Sequence, residues 1–550
     1  MAKTLSSGQI ARAALVVLLG FLASGILGLI RTAAFSTAFG AADELDAFYA
    51  AQRIPELIFT LVAGGALGSS FIPVFSRMMN ESDTSAWRLA SAVMSLAGLI
   101  GAALATIMYV FAPQIIPSLL VPGEPEFKQA LTTSLTQMML PTVVLFTISG
   151  LTMGILNANG VFTLPALAAS LYNAGQIVGA VILVPLMRAD DMRHWVSENF
   201  AFLPHGLSNV PDSAIYALAY GALIGAALHL LVQLPGLHRI GASLRFLPNI
   251  HIKGVRDVLV LMGPRVLGLA VVQVNFLVNV VLTSTMVEGS RTALVTAWTL
   301  MFFALGVIAQ SVGTALFPTL SALVANKDME AYKDRLATAL RSVLFMSFPA
   351  TVGMILLGAP VITVLLERGE WDAQSTAATA WALTFYAIGI SGHSLLEVLS
   401  RAFYALEDTW TPVAVGIFAI IANIALSLVF INVIGARDNL TQGAFGGLAL
   451  ANSLTTLLEG VVLWVLLRRR IGGLHDRYVL RGAFPALIAA MGMGAMVYVT
   501  SRLLDGSSAW VIAGVGTTFG AAVFFALALA LKIDEARTIP NLLLRRLRRS

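Results

Sequence analysis

Fourteen stretches of this 550-residue chain are apolar and long enough to cross a bilayer. They lie near 10–38, 46–76, 86–112, 130–156, 163–187, 213–234, 257–284, 292–324, 337–366, 375–404, 411–434, 443–467, 483–501 and 509–531. A lipid core admits only backbones that satisfy their own hydrogen bonds, so runs of this length read as helices. Only 11% of the residues are charged and the mean hydropathy is +0.85, against roughly 25% charged in soluble domains. The deficit runs the whole length, which predicts an all-α polytopic membrane protein and not a soluble domain with one anchor. The chain has no cysteine, which excludes disulfides, thiolate metal sites and cysteine catalysis. The first apolar run carries Arg31 and continues to Phe39, unlike a cleaved signal peptide.

Basic residues set the orientation. With fourteen spans both termini share a side, and 22 Lys and Arg fall on that side against 7 on the other. The positive-inside rule therefore places both termini in the cytoplasm. The net charge of +5 sits at helix ends, which gives no nucleic-acid surface. On the outer side, 188–212 reads either as a short interfacial helix or as a solvated loop. The tail Leu542–Arg549 is basic and amphipathic and is expected on anionic headgroups.

The chain also carries a duplication. Gly68, Pro73 and Ser76 recur as Gly313, Pro318 and Ser321, 245 residues later, and Ala158 and Pro165 recur as Ala405 and Pro412 at an offset of 247. Six spans per repeat is an even number, so the repeats share orientation and are expected to be related by an axis along the membrane normal. The expected organisation is an N-lobe over 1–235, a cytoplasmic linker over 236–256 and a C-lobe over 257–470. A C-terminal helix pair over 471–531 and a basic tail over 532–550 follow. Substrate is expected between the two lobes, with rocking to alternate access.

Ionisable groups within the spans mark candidate solute contacts, because a bilayer tolerates them chiefly where they face a polar cavity or a partner. Arg31 lies deep in the first span; it reads either as a cavity cation for an anionic ligand or as a structural arginine paired with Asp46 or Glu56. Asp46 opens the second span as an N-cap or a cavity group. Arg53 and Glu56 share a helix face. Pro55 between them, with Gly64 and Gly65 just beyond, suits a hinge. In the second half Arg265, beside Pro264, suits a gate or an interfacial position. Gln273, Asn275 and Asn279 follow, as ligand contacts or interhelical bonds. Glu397 and Arg401 are expected to pair within one helix. Glu459, inside the twelfth span, is the candidate titratable carboxylate of that half, beside Asp46 in the first. The seven histidines show no metal spacing, and no Walker A, G-x-S-x-G or His-x-x-Glu-His motif occurs. These absences argue against an enzyme and leave an ion gradient, the membrane potential or substrate flux to drive transport.

The motif order resembles the MurJ (MviN) lipid II flippases of the multidrug/oligosaccharidyl-lipid/polysaccharide exporter superfamily. The matching blocks are Leu27-Gly-Leu-Ile-Arg31, Phe39-Gly40, Asp46-Ala-Phe, Phe71-Ile-Pro-Val-Phe75 and Gly154 through Gly160 with Pro165 and Asn173. They continue with Met262-Gly-Pro, Gly313 through Pro318, Leu366-Glu-Arg-Gly369 and Arg401 through Pro412. The resemblance implies fourteen helices in two lobes around a central cationic cavity, with the last two helices forming a groove for a polyprenyl tail. It implies a multi-pass protein of the bacterial cytoplasmic membrane. Inward-to-outward rocking would carry a disaccharide-pentapeptide diphosphate headgroup across, for peptidoglycan and cell-wall biogenesis.

Lipid II and membrane lipids are the implied partners, with cell-wall synthesis enzymes beside them. No cofactor is implied, and coupling would be to the membrane potential or a Na⁺, H⁺ or Cl⁻ gradient. Gly25, Phe59 and Thr299 stand where the family commonly keeps arginine, so the cavity is expected to be less cationic than usual. Flippase for lipid II is the leading reading. A flippase for another polyprenyl-linked glycan or a superfamily antiporter, and a transport-incompetent scaffold for cell-wall synthesis, are the alternatives.

Overall fold

The computed structural model describes the backbone of residues 7–62, 65–188 and 213–537, and the side chains of these apart from 7–18, 21, 65–69, 263–265, 267, 268, 271 and 272. The 188–212 loop beyond Arg188, the tail from 538 and Gly64 lie outside the described residues. So do the side chains of Arg265 and Pro264.

The described residues are helical almost throughout. In chain order the helices are α1 (Ser7–Phe39), α2 (Asp43–Val62), α3 (Gly65–Glu81), α4 (Asp83–Ile115), α5 (Glu126–Met139), α6 (Pro141–Ala158) and α7 (Thr163–Val178). Then come α8 (Val184–Arg188), α9 (Tyr216–Leu231), α10 (Leu234–Arg239), α11 (Val255–Thr283), α12 (Ser290–Leu305) and α13 (Ser311–Ala325). The last are α14 (Met329–Leu366), α15 (Ala373–Ile388), α16 (Ile390–Ala405), α17 (Trp410–Phe430), α18 (Phe445–Ile471), α19 (Asp476–Leu503) and α20 (Ala509–Ala530). The chain is thus a multi-pass membrane protein of the expected all-α class.

Among the described residues eleven of the fourteen expected spans are long and apolar enough, or twelve when α15 and α16, bent by 46° at Gly389, count as one. The two remaining expected spans, 46–76 and 257–284, are helical as α2 with α3 and as α11. In α2 the charge load of Asp43, Glu44, Asp46, Arg53 and Glu56 removes the continuous apolar window. Pro55 does not interrupt α2, which runs on to Val62. The Ala51 carbonyl, which a proline at 55 leaves without its helical donor, faces the Thr136 hydroxyl at 3.5 Å.

Packing divides the chain into two compact units, Met1–Thr292 and Ala293–Ser550. The boundary falls after α11, beyond the 236–256 segment expected to act as linker. Residues 240–254 are not a free tether: the Arg245 and Leu247 amides donate to Ser91 and Ser95 on α4, at 3.0 and 2.8 Å.

Within the first unit α7 and α9 meet backbone to backbone. Gly175 and Gly179 on one helix face Gly221 and Gly225 on the other, four residues apart in each. A Cβ on Gly175 would lie 2.3 Å from the Gly225 Cα. Small residues at this spacing let membrane helices gain dispersion and polar contacts that lipid does not offer. The close approach fixes the α7 face that carries Tyr172, Asn173 and Gln176. In the second unit, Glu397 and Arg401 form the expected pair along α16.

The duplication is legible in element boundaries. Helix α6 ends at Ala158 and α16 at Ala405, and the helices that follow begin at Thr163 and Trp410. The connecting turn passes through Gly160 with φ +76 in the first copy and through Glu407 with φ +59 in the second. A left-handed glutamate carries a Cβ penalty that glycine avoids.

Two stability effects follow, both read from thermal unfolding in detergent. Glu407→Gly, at an exposed turn, is expected to stabilise by roughly 0.5–1 kcal/mol. Gly225→Leu is expected to force α7 from α9 and destabilise by more than about 2 kcal/mol.

Candidate functional site

Two polar clusters lie inside the first unit, and they treat charge in opposite ways. The first gathers at one end of its helices, around the opening turn of α2. Asp46 is not the N-cap expected: α2 begins at Asp43, and the Asp46 carboxylate points away from its own helix. It accepts from the Gly289 amide at 3.0 Å, and from the Thr292 amide and hydroxyl at 2.7 Å each. Lys128 Nζ stands 3.3 Å from Asp46, 2.6 Å from Asp43 and 3.8 Å from Glu124. Arg291 bonds Glu124 at 2.6 Å and the Asp46 carbonyl at 2.8 Å, and it also reaches the Val280 carbonyl and the Thr283 hydroxyl. Asp46, Glu124, Lys128 and Arg291 are each at most 9% exposed.

Charge is balanced within this buried quartet, two carboxylates against two cations, which is the condition for keeping ions out of water. Outside it, the exposed Glu288 accepts from the Asp43 amide at 3.0 Å. Its carboxyl is pushed above the ordinary range by burial and then by the neighbouring Asp43 charge. The loops approach closely because Gly289 takes φ +83, with any Cβ only 2.4 Å from the Ala41 carbonyl oxygen.

The second cluster surrounds Arg31 on α1. Its Nη1 donates to Asn173 at 3.2 Å and to Gln176 at 3.0 Å. Asn173 is tied back to Ser24, and Gln176 donates to the Tyr172 hydroxyl at 3.0 Å. Gln52 of α2 donates to the same hydroxyl at 3.1 Å. The expected partnership of Arg31 with Asp46 or Glu56 is absent: no carboxylate pairs with Arg31 among the described residues. The buried Nε has no hydrogen-bond partner there. Neutral amide oxygens orient this guanidinium without cancelling its charge, which leaves it available to an anion.

Arg53 does pair with Glu56, at 2.8 Å, and lies 4.9 Å from the centre of the Phe276 ring. Gln273 donates to Thr60 at 3.2 Å, while the buried Asn275 Oδ1 has no partner. Of the three positions expected to make the cavity less cationic, Phe59 packs on Phe146, ring centres 5.2 Å apart. Thr299 turns its hydroxyl back onto its own helix at the Val295 carbonyl. In the second unit Glu459 lies beside Gly416, and no ion pair involves it among the described residues.

Sequence reasoning placed Lys128 and Arg291 only among loop charges and passed over Glu124, Thr292, Tyr172, Gln52 and Gln176. A helix-initial Glu124-x-x-x-Lys128 pair opposite an acidic α2 start was the available signal for the first group. Neutral amides that serve as second partners leave no comparable pattern.

The family model for the lipid II flippase MurJ matches residues 35–513. The chain is 30% identical over 475 residues to the lipid II flippase MurJ of Burkholderia cenocepacia, covering 83% of this chain and 84% of that protein. It is 29% identical over 490 residues to the probable lipid II flippase MurJ of Bdellovibrio bacteriovorus, covering 88% and 87%. Among solved structures, a lipid II flippase MurJ in an inward closed conformation superposes with a TM-score of 0.74 at 24% identity, covering 94% of this chain and 98% of that one. An inward-facing multidrug transporter of the MATE family and MOP superfamily superposes at 0.62 with 14% identity, covering 84% and 99%. These two structural likenesses speak for the fold.

The balance around Asp46 makes each member indispensable to the others. Asp46→Ala strips Thr292 and Gly289 of their acceptor and removes one carboxylate from the buried Lys128 and Arg291 charges, and it is expected to lower unfolding stability in detergent by about 3–5 kcal/mol. Exposed Glu288→Gln is expected to change it by less than about 0.5 kcal/mol.

Proposed function

This chain belongs to the lipid II flippase MurJ family, and from that premise we propose that it carries lipid-linked peptidoglycan precursor from the cytoplasmic to the outer leaflet by alternating access. It is a membrane transporter and not an enzyme. The observation that carries the substrate reading is the state of Arg31, a half-buried guanidinium with a buried, unpartnered Nε, oriented by Asn173 and Gln176 and neutralised by no carboxylate among the described residues. A diphosphate supplies the charge and the acceptor geometry that this group lacks. Arg53 is held by Glu56 against Phe276, and a bound anion would compete with Glu56 for it. The unpartnered Asn275 oxygen is a candidate acceptor for a sugar hydroxyl or peptide amide. Arg265 and Pro264 remain candidates at the seventh-span helix, and Gly64 and Gly65 at the junction after α2.

The Asp46 cluster joins three connections, α1 to α2, α4 to α5, and α11 to α12. Charge asymmetry assigns these connections to the outer face and both termini to the cytoplasm. In this reading the cluster closes the outer end, and opening lets water reach its charges so that the pairs separate at modest cost. The repeats, over 1–235 and 257–470, are the bodies proposed to rock, with the pair over 471–531 shaping a path for the polyprenyl tail. The membrane potential or a Na⁺, H⁺ or Cl⁻ gradient is the proposed drive, with Glu459 and Asp46 as the carboxylates available to sense it. Enzymes of cell-wall synthesis would consume the product.

A second reading, another polyprenyl-linked glycan as cargo, is favoured by Phe59 and Thr299. Both make apolar or intrahelical contacts at positions where the family commonly keeps arginine.

The deciding experiment is rescue of a bacterium depleted of its own lipid II flippase. Wild type is expected to restore growth, and Arg31→Ala, at equal membrane abundance, to reduce rescue at least tenfold in plating efficiency. No rescue by abundant wild type would discard lipid II as the substrate. Full rescue by Arg31→Ala would discard the role of Arg31.

A further inference from the structure

A second concentration of charge lies far along the chain, in the second unit, where α14, the end of α18, the start of α19 and the segment after α20 border an open cavity of about 690 Å³. Five basic side chains line it and two acids answer them. Arg341, deeply buried, is held by Asp534 at 3.1 Å and by Glu535 just behind at 2.6 Å, with its guanidinium 4.4 Å from the Tyr478 ring centre. Arg468 is held by Asp476 at 3.1 Å. Arg477, Arg481 and Lys532 are left with no carboxylate among the described residues. Three exposed like charges thus line one open cavity, a positive patch that favours an anion.

The surroundings say which anion. Arg477 and Arg481 are four residues apart and stack along one face of α19. The adjoining stripe of the same helix, Leu480, Phe484 and Ile488, is apolar and points outward, with Phe484 65% exposed. On a membrane helix such a stripe lies against acyl chains. A soluble phosphate would find the cations and leave the stripe irrelevant. A phospholipid uses both, with its phosphodiester among the arginines and its chains down the stripe. The cavity also lies at the expected depth. Helix α14 has 38 residues, about 57 Å of helix against roughly 30 Å of hydrocarbon. The excess length brings the N-terminal part of α14, with Arg341 about 18 Å along it, toward the headgroup zone. Lys532 holds the far wall from a left-handed backbone position, φ +56, that few residues other than glycine adopt.

We propose that this cavity is a binding site for the headgroup of an anionic phospholipid, with Arg477, Arg481 and Lys532 on its phosphate and the Leu480–Phe484–Ile488 stripe along its chains. The site is separate from the Arg31 cluster, so it stands or falls independently of the transported substrate.

The test uses the full chain, purified and delipidated in a neutral detergent. It is titrated with dioleoylphosphatidylglycerol, dioleoylphosphatidylcholine or inorganic diphosphate, and bound molecules are counted by native mass spectrometry. Phosphatidylglycerol is expected to bind as a saturable single adduct, and phosphatidylcholine at least tenfold more weakly. Arg477→Gln with Arg481→Gln is expected to weaken the phosphatidylglycerol adduct about thirtyfold, while Arg477→Lys with Arg481→Lys retains it within about threefold. Arg469→Gln, a basic residue outside the cavity, is expected to leave it unchanged. Equal binding of the two lipids, an unaffected double glutamine variant, or an equal loss with Arg469→Gln overturns the proposal. Diphosphate that binds as tightly as phosphatidylglycerol reassigns the cavity to a free phosphate and overturns the lipid.

Discussion

Everything in the first unit is arranged around the cost of a charge in a low-dielectric interior. Asp46 and Glu124 are tolerable at less than a tenth exposed because Lys128 and Arg291 stand within bonding distance of them. Each partner is in turn supplied with hydrogen bonds from Thr292, Gly289, Thr283 or a backbone carbonyl. Such a cluster gives little net stability when compared with an apolar replacement. Its value is its directionality: it holds only when three separate connections bring their charges into register, and it is lost when any one moves. An apolar contact over the same area would slide without announcing itself energetically.

Arg31 shows the converse solution. Its guanidinium is half-buried, with two amide oxygens that carry only partial charge as its hydrogen-bond acceptors. The Ser24–Asn173 and Gln52–Tyr172–Gln176 bonds lock those oxygens in orientation, and the glycine contact of α7 with α9 locks the helix that bears them. The positive charge is thus positioned without being paired. A carboxylate in place of Asn173 would have cancelled that charge and removed the feature on which the proposed diphosphate site rests.

The fold class was legible because apolar length is a property of the chain itself, needing no knowledge of neighbours. The Glu397–Arg401 pair was legible for the same reason, since a helix sets i to i+4 geometry locally. In α2 the signal is weakened by Asp43, Glu44, Asp46, Arg53 and Glu56, which leave no continuous apolar window within that helix. The role of Asp46 was misjudged because an aspartate at a helix start has a cheap local explanation, capping. Its actual partners lie more than 80 and 240 residues away. Distance along the chain also hid Arg341, whose acids come from the segment after α20. Isolated charges were therefore read well as being important and poorly as to whom they meet.

The duplication sharpens this last point. Helix α2 begins at Asp43 and α12 at Ser290, the same spacing of 247 that separates the ends of α6 and α16. The Asp46 lock therefore joins the first turns of two helices that occupy equivalent places in the two copies. A contact between equivalent positions begins, in an unmodified duplicate, as a contact of like with like, and for ionised residues that is repulsive. The present copies have diverged in the manner needed to reverse its sign: the α2 turn carries Asp43, Glu44 and Asp46, whereas the α12 turn carries Arg291 and the donor Thr292. By contrast the turn after α6 and its counterpart after α16 keep one backbone conformation although Gly160 has become Glu407. If the two repeats are taken as proposed, a turn that only directs the chain tolerates some strain, whereas a contact between equivalent turns needs opposite charges.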